Sequence, residues 1–548
     1  DRHTVRALFL LGANDGVLPA AENRGGVLRD EDREALERQQ IFLAPHGMEQ
    51  FHLEIQNLYA ALAQPTEKLT VSYPVSDGKG AEKRPSFVIG RIARLLPSIS
   101  VETESADKEY RLSAKSTALE YAGEHIGGAL WQYFEGQGDA ERALAAMKDA
   151  SRYTRGHLSR DAVRALYGGA VTLSASRMDM ARSCHFAYFM RYGLKARERT
   201  GAGFDAPQIG TFVHDVMEHT LRQAKECGGL HTLSKDKLHA LVRASIEEYI
   251  DRVLPDLCEK SARFRYLFNR LCAAVERIMD EVSEELQSSD FEPLAFELEF
   301  GADGQLPAIT IREENGTARV VGKVDRVDGW LHDGKLYLRV VDYKTGKKSF
   351  DLAELRYGLG LQMLLYLFTL KEEGQMLFGG HEIVPAGVLY TPAREPMLRC
   401  ARDTEPEKIE KALKKELRRS GMVLEDPAVL QAMEHSALES PCYLPIAVKR
   451  DGAVTGSLAS AEQLGKLSKY VDHILHEITQ EVFAGNIDAD PYARTPQQSA
   501  CTYCEFASAC HFENGCGSDR MEYIKATKND EFWQYIDEVN GEGAHENG

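Results

Sequence analysis

No apolar run in this 548-residue chain approaches the roughly 18 to 20 residues needed to span a bilayer. The longest, "GLGLQMLLYLFTL", is short and carries a glutamine, so no membrane partner is expected. Cysteine is sparse: ten residues, most of them scattered, too few for a disulfide scaffold. A reducing, cytoplasmic setting is therefore expected. Positive charge is in deficit, with 66 Lys and Arg against 84 Asp and Glu, a net charge of −18. That excludes a generally basic nucleic-acid binder, because phosphate binding needs cations. It leaves room for a local basic groove, or for a site whose positive charge comes from metal ions. The G-x-x-x-x-G-K-[ST] phosphate loop is missing. So are an initiator methionine and a signal-peptide pattern: "DRHTVRALFLLGANDG" enters a strand-like run almost at once. A piece of a longer polypeptide is the expectation.

What is present reads as ordinary globular protein, 43% hydrophobic and 27% charged. The length suggests about three or four domains. Residues 1–100 alternate strand-like runs ("VRALFLLGANDG", "KLTVSYPV") with a helical segment, "EQFHLEIQNLYAALAQ". Residues 107–165 read as charged helix, and a boundary is expected near 165. Next comes "TLSASRMDMARSCHFAYFMRYGL", an aromatic-rich helix opened by Ser/Thr caps, and then helix again over 234–289. From 294 to 344 the period shifts toward two. "ELRYGLGLQMLLYLFTLKEEG" follows as a helix, "HEIVPAGVLYT" as a strand, and 405–420 and 461–483 as helices. The expected division is 1–165, 166–515 and a tail over 516–548.

The most informative stretch is "GKVDRVDGWLHDGKLYLRVVDYKTGKK". Asp-Gly between two strand-like runs signals a two-residue hairpin turn. With Asp333 and Gly334 as the turn, His332 opposes Lys335, Val327 opposes Val340, and Asp325 opposes Asp342. Two carboxylates then face each other about 5 Å apart at Cβ. They share a face with Leu331, Leu336, Leu338, Val327 and Val340, the expected core side. Asp328 falls on the other face opposite Arg339, as a solvated ion pair. Facing like charges near a core require a shared proton or a cation between them. Hard divalent ions such as Mg²⁺ take carboxylate, carbonyl and water ligands. Lys344, two residues beyond Asp342 on the same face, is placed to orient a water or neutralise developing charge. The competing reading is a pair of turn acids beside a surface lysine. Glu297 and Glu299 of "FELEF" also share a strand face, and either is a candidate outer ligand.

These residues resemble the nuclease signature of the RecB-type branch of the restriction-endonuclease-like superfamily. The resemblance implies an α/β fold, a mixed sheet flanked by helices with helical insertions, and the acid-x-Lys motif on a core hairpin. "IGTFVHDVME" resembles the family's upstream Gly-Thr-x-x-His helix, which implies His214 as a metal ligand beside Asp325, Asp342 and the Tyr343 carbonyl. "GLQMLLYLF" resembles its Gln-x-x-x-Tyr helix. Gln362 and Tyr366 lie four apart on one helix face, and the resemblance implies a position near the phosphate. Mg²⁺ is the implied ion, with Mn²⁺ or Ca²⁺ as substitutes in vitro.

"CTYCEFASAC" supplies Cys501, Cys504 and Cys510 at metal-site spacing. Zinc or an iron–sulfur cluster needs a fourth ligand. Spacing alone favours Cys516. The chain also resembles the B subunits of AddAB-type helicase–nucleases, in which a lone upstream cysteine and a Cys-x-x-Cys-x₅-Cys group hold a [4Fe–4S] cluster. That resemblance implies Cys184. Such a cluster would close a very long loop, a structural rather than redox role. Cysteines 227, 258, 272, 400 and 442 read as packing residues.

The N-terminal runs resemble the end of a superfamily-one helicase motor. Where active members carry a Thr-Arg-x-Arg pattern, Ala63, Gln64, Pro65 and Thr66 stand here, without a guanidinium. A partial helicase-like domain without ATPase activity is expected. The resemblance implies a Mg²⁺-dependent deoxyribonuclease acting on single-stranded DNA and duplex ends during double-strand-break processing. It implies cutting of the 5′-terminated strand beside an AddA-like helicase–nuclease subunit. The alternative is a catalytically inert DNA-end scaffold stabilised by a metal cluster.

Overall fold

The computed structural model describes residues 4–20, 28, 30–44, 47–77, 81–102, 111–152, 154–197, 206–255, 261–301, 304–346, 348–394, 396, 398, 400–401, 404–495 and 497–541. The chain divides into two compact units, Asp1–Ser151 and Arg152–Gly548.

In the first unit, β1 (Val5–Leu10) pairs in parallel with β2 (Pro65–Val71), and helix α1 (Gly47–Leu62) lies between them in sequence. A parallel pair cannot be joined by a tight turn, so a crossover helix is the expected connection. A small core of Ala122, Trp131, Phe134 and Leu144 gathers the helices that follow.

The second unit is built on helices α2 (Ala206–Glu226) and α3 (Ala262–Gln287) and the strands β3 (Glu292–Phe300), β4 (Gly322–His332) and β5 (Lys335–Lys344). Helix α4 (Gln362–Glu373), strands β6 (Glu382–Pro392), β7 (Ser420–Leu424) and β8 (Leu458–Ala459), and helix α5 (Ala461–Ala484) complete it. Six strands form one mixed sheet in the order β8-β7-β6-β5-β4-β3. The β4–β5 hairpin turns at Asp333 (φ +48°) and Gly334 (φ +76°), the left-handed pair that a two-residue turn requires. Its ladder runs from His332↔Lys335 to Arg326↔Val341, the register counted from that turn.

The expected division into a core face and a wet face is wrong. Val327 and Val340 are fully buried, as expected, but so are Asp328 and Arg339, both 0% exposed. The reason is α3, which carries Glu285 onto the second face. Leu331, assigned to the core, is 54% exposed because it sits at the turn end of the hairpin.

Two expected helices are interrupted. "ELRYGLGLQMLLYLF" forms Leu352–Arg356 and then α4, because Gly358 (φ +75°) and Gly360 (φ +69°) break the helical path. From Met363 to Leu370 every α4 side chain is buried, so this helix is covered all round. The aromatic-rich helix likewise splits into Ala175–Ser183 and His185–Tyr188, with Cys184 extended (φ −174°) between them. Among the described residues, no helix is long and apolar enough to cross a membrane.

Candidate metal centre

The hairpin register brings the next residues after the ladder, Asp325 and Asp342, to one end of the sheet on one face. The Tyr343 N–H donates to Asp325 Oδ2 across the hairpin, at 2.9 Å. Asp342 is buried. Burial first, then the charge of Asp325, pushes its carboxyl up to about 6. Lys344 Nζ, 2.7 Å from Asp342 Oδ2, opposes that shift.

His214 arrives from α2. Its Nε2 faces the Tyr343 carbonyl oxygen at 2.9 Å, and its Nδ1 lies 3.3 Å from Asp325 Oδ2. Burial disfavours its charged form, but Asp325 outweighs this, and the ring's pKa is raised. Both nitrogens face acceptors, so the doubly protonated ring is favoured. A proton there supplies the positive charge that the acids demand. Metal binding to this imidazole would release it.

Glu297 enters from β3, between Phe296, paired with Arg326, and Leu298, paired with Val324. Its φ is +51°, a left-handed conformation inside a strand that costs roughly 1–2 kcal/mol. Such strain persists where surrounding structure imposes it, often at functional sites. Burial raises its pKa, and Lys323, its ion-pair partner, opposes the rise. Ligand atoms of His214, Glu297 and Asp325 all lie within 4.8 Å of one another, and no other such group occurs among the described residues. Glu299, the alternative on the same strand, is exposed. The sequence suggested Asp342 as the close companion of His214 and Asp325. The structure gives the tighter place to Glu297 and pairs Asp342 with Lys344. Two carboxylates, an imidazole and a backbone carbonyl are nevertheless a donor set that a divalent ion accepts.

Gln362 and Tyr366 stand one turn apart at the start of α4, and Gln362 Nε2 donates to Tyr366 Oη at 3.1 Å. Burial raises the Tyr366 phenol, and the charges of Asp342 and Asp325 raise it further, so this side chain lies within electrostatic reach of the acids. Gly322 makes the approach possible: a Cβ there would lie 2.6 Å from the Tyr366 ring.

Behind the site runs a network that sequence patterning missed. Arg326 Nη1 donates to Tyr343 Oη at 2.6 Å, and Arg326 and Arg339 both donate to Asp328 Oδ2, at 3.0 and 2.9 Å. Glu285 of α3 lies 3.5 Å from Arg339 and accepts two hydrogen bonds from Arg419, at 3.0 and 2.6 Å. The network therefore grips the hydroxyl end of Tyr343, whose backbone carries the carbonyl and N–H of the metal centre. The opposition of Asp328 and Arg339 was legible in the register. Their burial, and the partners from α3 and residue 419, were not.

The cysteines lie elsewhere in the unit. Cys501, Cys504 and Cys510 are half-buried, and Cys516 is exposed. Burial first, then the neighbouring thiols Cys504 and Cys510, raises the Cys501 pKa. Cys184 is buried, and burial pushes its thiol up to about 12. The helical segment after Cys184 docks on the Cys501–Cys510 stretch. Arg191 pairs with Glu505 at 2.8 Å, and Arg155 donates to the Cys510 carbonyl at 2.8 Å while stacking 4.5 Å from the Phe186 ring centre. His185 binds Asp490 through backbone and ring, at 2.9 and 2.6 Å. Contrary to expectation, Cys227, Cys400 and Cys442 are exposed rather than packed, since they sit at a helix end or in surface segments. Cys258 lies outside the described residues.

Comparison with known proteins agrees with this geometry. Residues 172–511 match the family model of the PD-(D/E)XK nuclease superfamily. Over 561 residues the chain is 31% identical to the B subunit of the ATP-dependent helicase/deoxyribonuclease of Ruminiclostridium cellulolyticum, covering 98% of this chain and 49% of that protein. The protein of the same name from Acetivibrio thermocellus is 32% identical over 558 residues, 97% of this chain and 48% of its own length. That of Thermoanaerobacter sp. (strain X514) is 29% identical over 566 residues, 99% and 49% respectively. The chain thus spans about half the length of these curated relatives. With the matched region covering the six-stranded sheet, the acids at its end and the Asp342-Tyr343-Lys344 motif, the chain belongs to the PD-(D/E)XK nuclease superfamily.

Proposed function

We propose that this chain is the nuclease-bearing, C-terminal part of the B subunit of a helicase/deoxyribonuclease, and that it hydrolyses phosphodiester bonds of single-stranded DNA with Mg²⁺. The observation that carries this is the convergence of His214, Glu297 and Asp325 beside the buried Asp342 and Lys344. When bound, a divalent ion supplies Lewis-acid stabilisation of phosphate charge and lowers the pKa of a bound water. His214, Asp325, Glu297 and the Tyr343 carbonyl would hold it. Asp342 adds negative charge at the same sheet end and holds Lys344, whose ammonium orients the attacking water. Gln362 and Tyr366 position the phosphate. The names of the relatives support a helicase partner of the AddA type, the 5′-terminated strand as substrate, and a role in break repair in the cytoplasm. The first unit supplies no ATPase activity in this reading, since no arginine stands at residues 63–66.

The test is cleavage of an end-labelled single-stranded oligonucleotide as Mg²⁺ is titrated. Glu297→Gln is expected to raise the Mg²⁺ midpoint about 10- to 100-fold, the usual effect of removing a group that supports metal binding. An unchanged midpoint removes Glu297 from the site, and a wild-type chain that cuts nothing with Mg²⁺ sinks the nuclease reading.

The second part of the proposal is a [4Fe–4S] cluster on Cys184, Cys501, Cys504 and Cys510. Four thiols with no carboxylate among them form a soft donor set. The ion pairs around Arg155 and Arg191 bring together segments more than 300 residues apart. Purified protein should be brown and contain iron and acid-labile sulfide, and Cys184→Ala should bleach it. A colourless zinc protein indifferent to that change excludes this assignment.

A further inference from the structure

A cavity of about 290 Å³ opens beside the acids, walled by Lys344 and Lys348 from the end of β5, Tyr390 and Arg394 from β6, and Arg418 just before β7. β5 and β6 run parallel, and Lys344 pairs with Pro392, so the cavity lies beyond the carboxyl ends of two parallel strands. Ligands of α/β proteins collect at that edge. Four cations converge there against Glu416 alone, in a chain whose net charge is −18.

These cations are held loosely. Arg394 lies 3.5 Å from Glu416 and Lys348 lies 3.6 Å from Glu354. A committed charge-assisted hydrogen bond measures about 2.7–2.9 Å, so both heads are able to turn toward an incoming anion. Lys344 is common to the cavity and the metal centre. A larger cleft, of about 670 Å³, is lined by Lys323, Gln362 and Tyr366, but there Asp179 and Glu299 offset the single cation. The two clefts share the acids' neighbourhood but differ in charge, and only the first suits a polyanion.

We propose that the cavity of Lys344, Lys348, Arg394 and Arg418 is a phosphate-binding subsite. It holds the backbone of a single-stranded polynucleotide next to the phosphodiester being cut, with Arg394 and Arg418 as its dedicated cations. This rests on the nuclease reading above and adds the path of the strand. Backbone contacts of this kind are blind to sequence and position the substrate for the chemistry.

The experiment is fluorescence anisotropy of a labelled single-stranded oligonucleotide in EDTA, where binding proceeds without cleavage. It compares wild type, R394Q and R394Q/R418Q from about 50 to about 200 mM salt. Each lost phosphate contact should flatten the slope of log K against log salt by about 0.7, and the double change by about 1.4. R243Q, on a distant helix, should keep the wild-type slope. Because Arg418 also donates to the Pro441 carbonyl, R394Q alone decides if the double variant unfolds. An R394Q slope equal to wild type overturns the subsite. Competition by inorganic phosphate as strong as by oligonucleotide, per phosphate, also overturns it, because it would mark a free-anion site. If the slopes are unchanged while wild type still cuts DNA with Mg²⁺, the subsite fails and the nuclease reading stands. If the slopes change as expected but no cleavage occurs, the reverse holds.

Discussion

Asp342→Ala is expected to slow Mg²⁺-dependent cleavage of single-stranded DNA about 10³-fold, the effect of losing several kcal/mol of charge stabilisation at the reacting phosphate. Asp342 is 3% exposed, stands beside Asp325 on the buried sheet end, and holds the ammonium of Lys344. Removing it takes negative charge from the metal centre and releases Lys344 at once. The same change should not unfold the protein. Held up at about 6 in the folded state against an ordinary 3.8, this carboxyl is penalised as an anion, and above pH 6 that penalty is fully present. In the absence of divalent ions, Asp342→Asn should therefore raise the melting temperature at neutral pH, while cleavage with Mg²⁺ collapses. Single-turnover rates and thermal melts with and without Mg²⁺ check both halves. Cleavage persisting above about a tenth of the wild-type rate would show that the chemistry belongs to other residues, and would revive the inert-scaffold alternative.

Glu285→Gln is expected to destabilise the nuclease unit by about 3–5 kcal/mol, because it leaves Arg339 and Arg419 buried without their shared carboxylate. A fall in melting temperature of about 5–10 °C follows for a unit this large. Burial opposes the Glu285 anion, but Arg419, Arg339 and Arg326 outweigh it and hold the carboxyl at about 2 instead of 4.5. A depressed acid contributes stability above its unfolded pKa and loses it as pH falls through the folded one. The contribution, about 3 kcal/mol, should be complete above about pH 4.5 and vanish toward pH 2. Urea unfolding of wild type and Glu285→Gln at a series of acid pH values measures it as the gap between the two curves. A gap that does not close on acidification would contradict the pairing seen around Glu285.

How much of this was legible in one chain depended on the range of the interaction. The hairpin was legible because everything that sets it is local. Asp333-Gly334 selects a two-residue turn, a strand has period two, and the register follows by counting. The acids, Lys344 and the Gln362–Tyr366 helix face needed nothing more than that count, helical spacing and a family resemblance.

What packs on the second face was beyond such reasoning. Asp328 opposite Arg339 has the same period on a wet sheet as on a buried one, and only α3, more than 40 residues earlier in the chain, decides between them. Glu297 and Glu299 are indistinguishable by strand parity. Pairing with β4 and a left-handed backbone put the first into the metal centre and left the second in solvent. Arg394 and Arg418 stand in charged, unremarkable sequence until β6 and β7 bring them against Lys344. Periodicity and turn chemistry are properties of neighbours along the chain, so the sequence by itself determined the hairpin and the acids it carries. Burial, cation convergence and the choice between equivalent carboxylates are properties of neighbours in space. Only the tertiary structure could decide them.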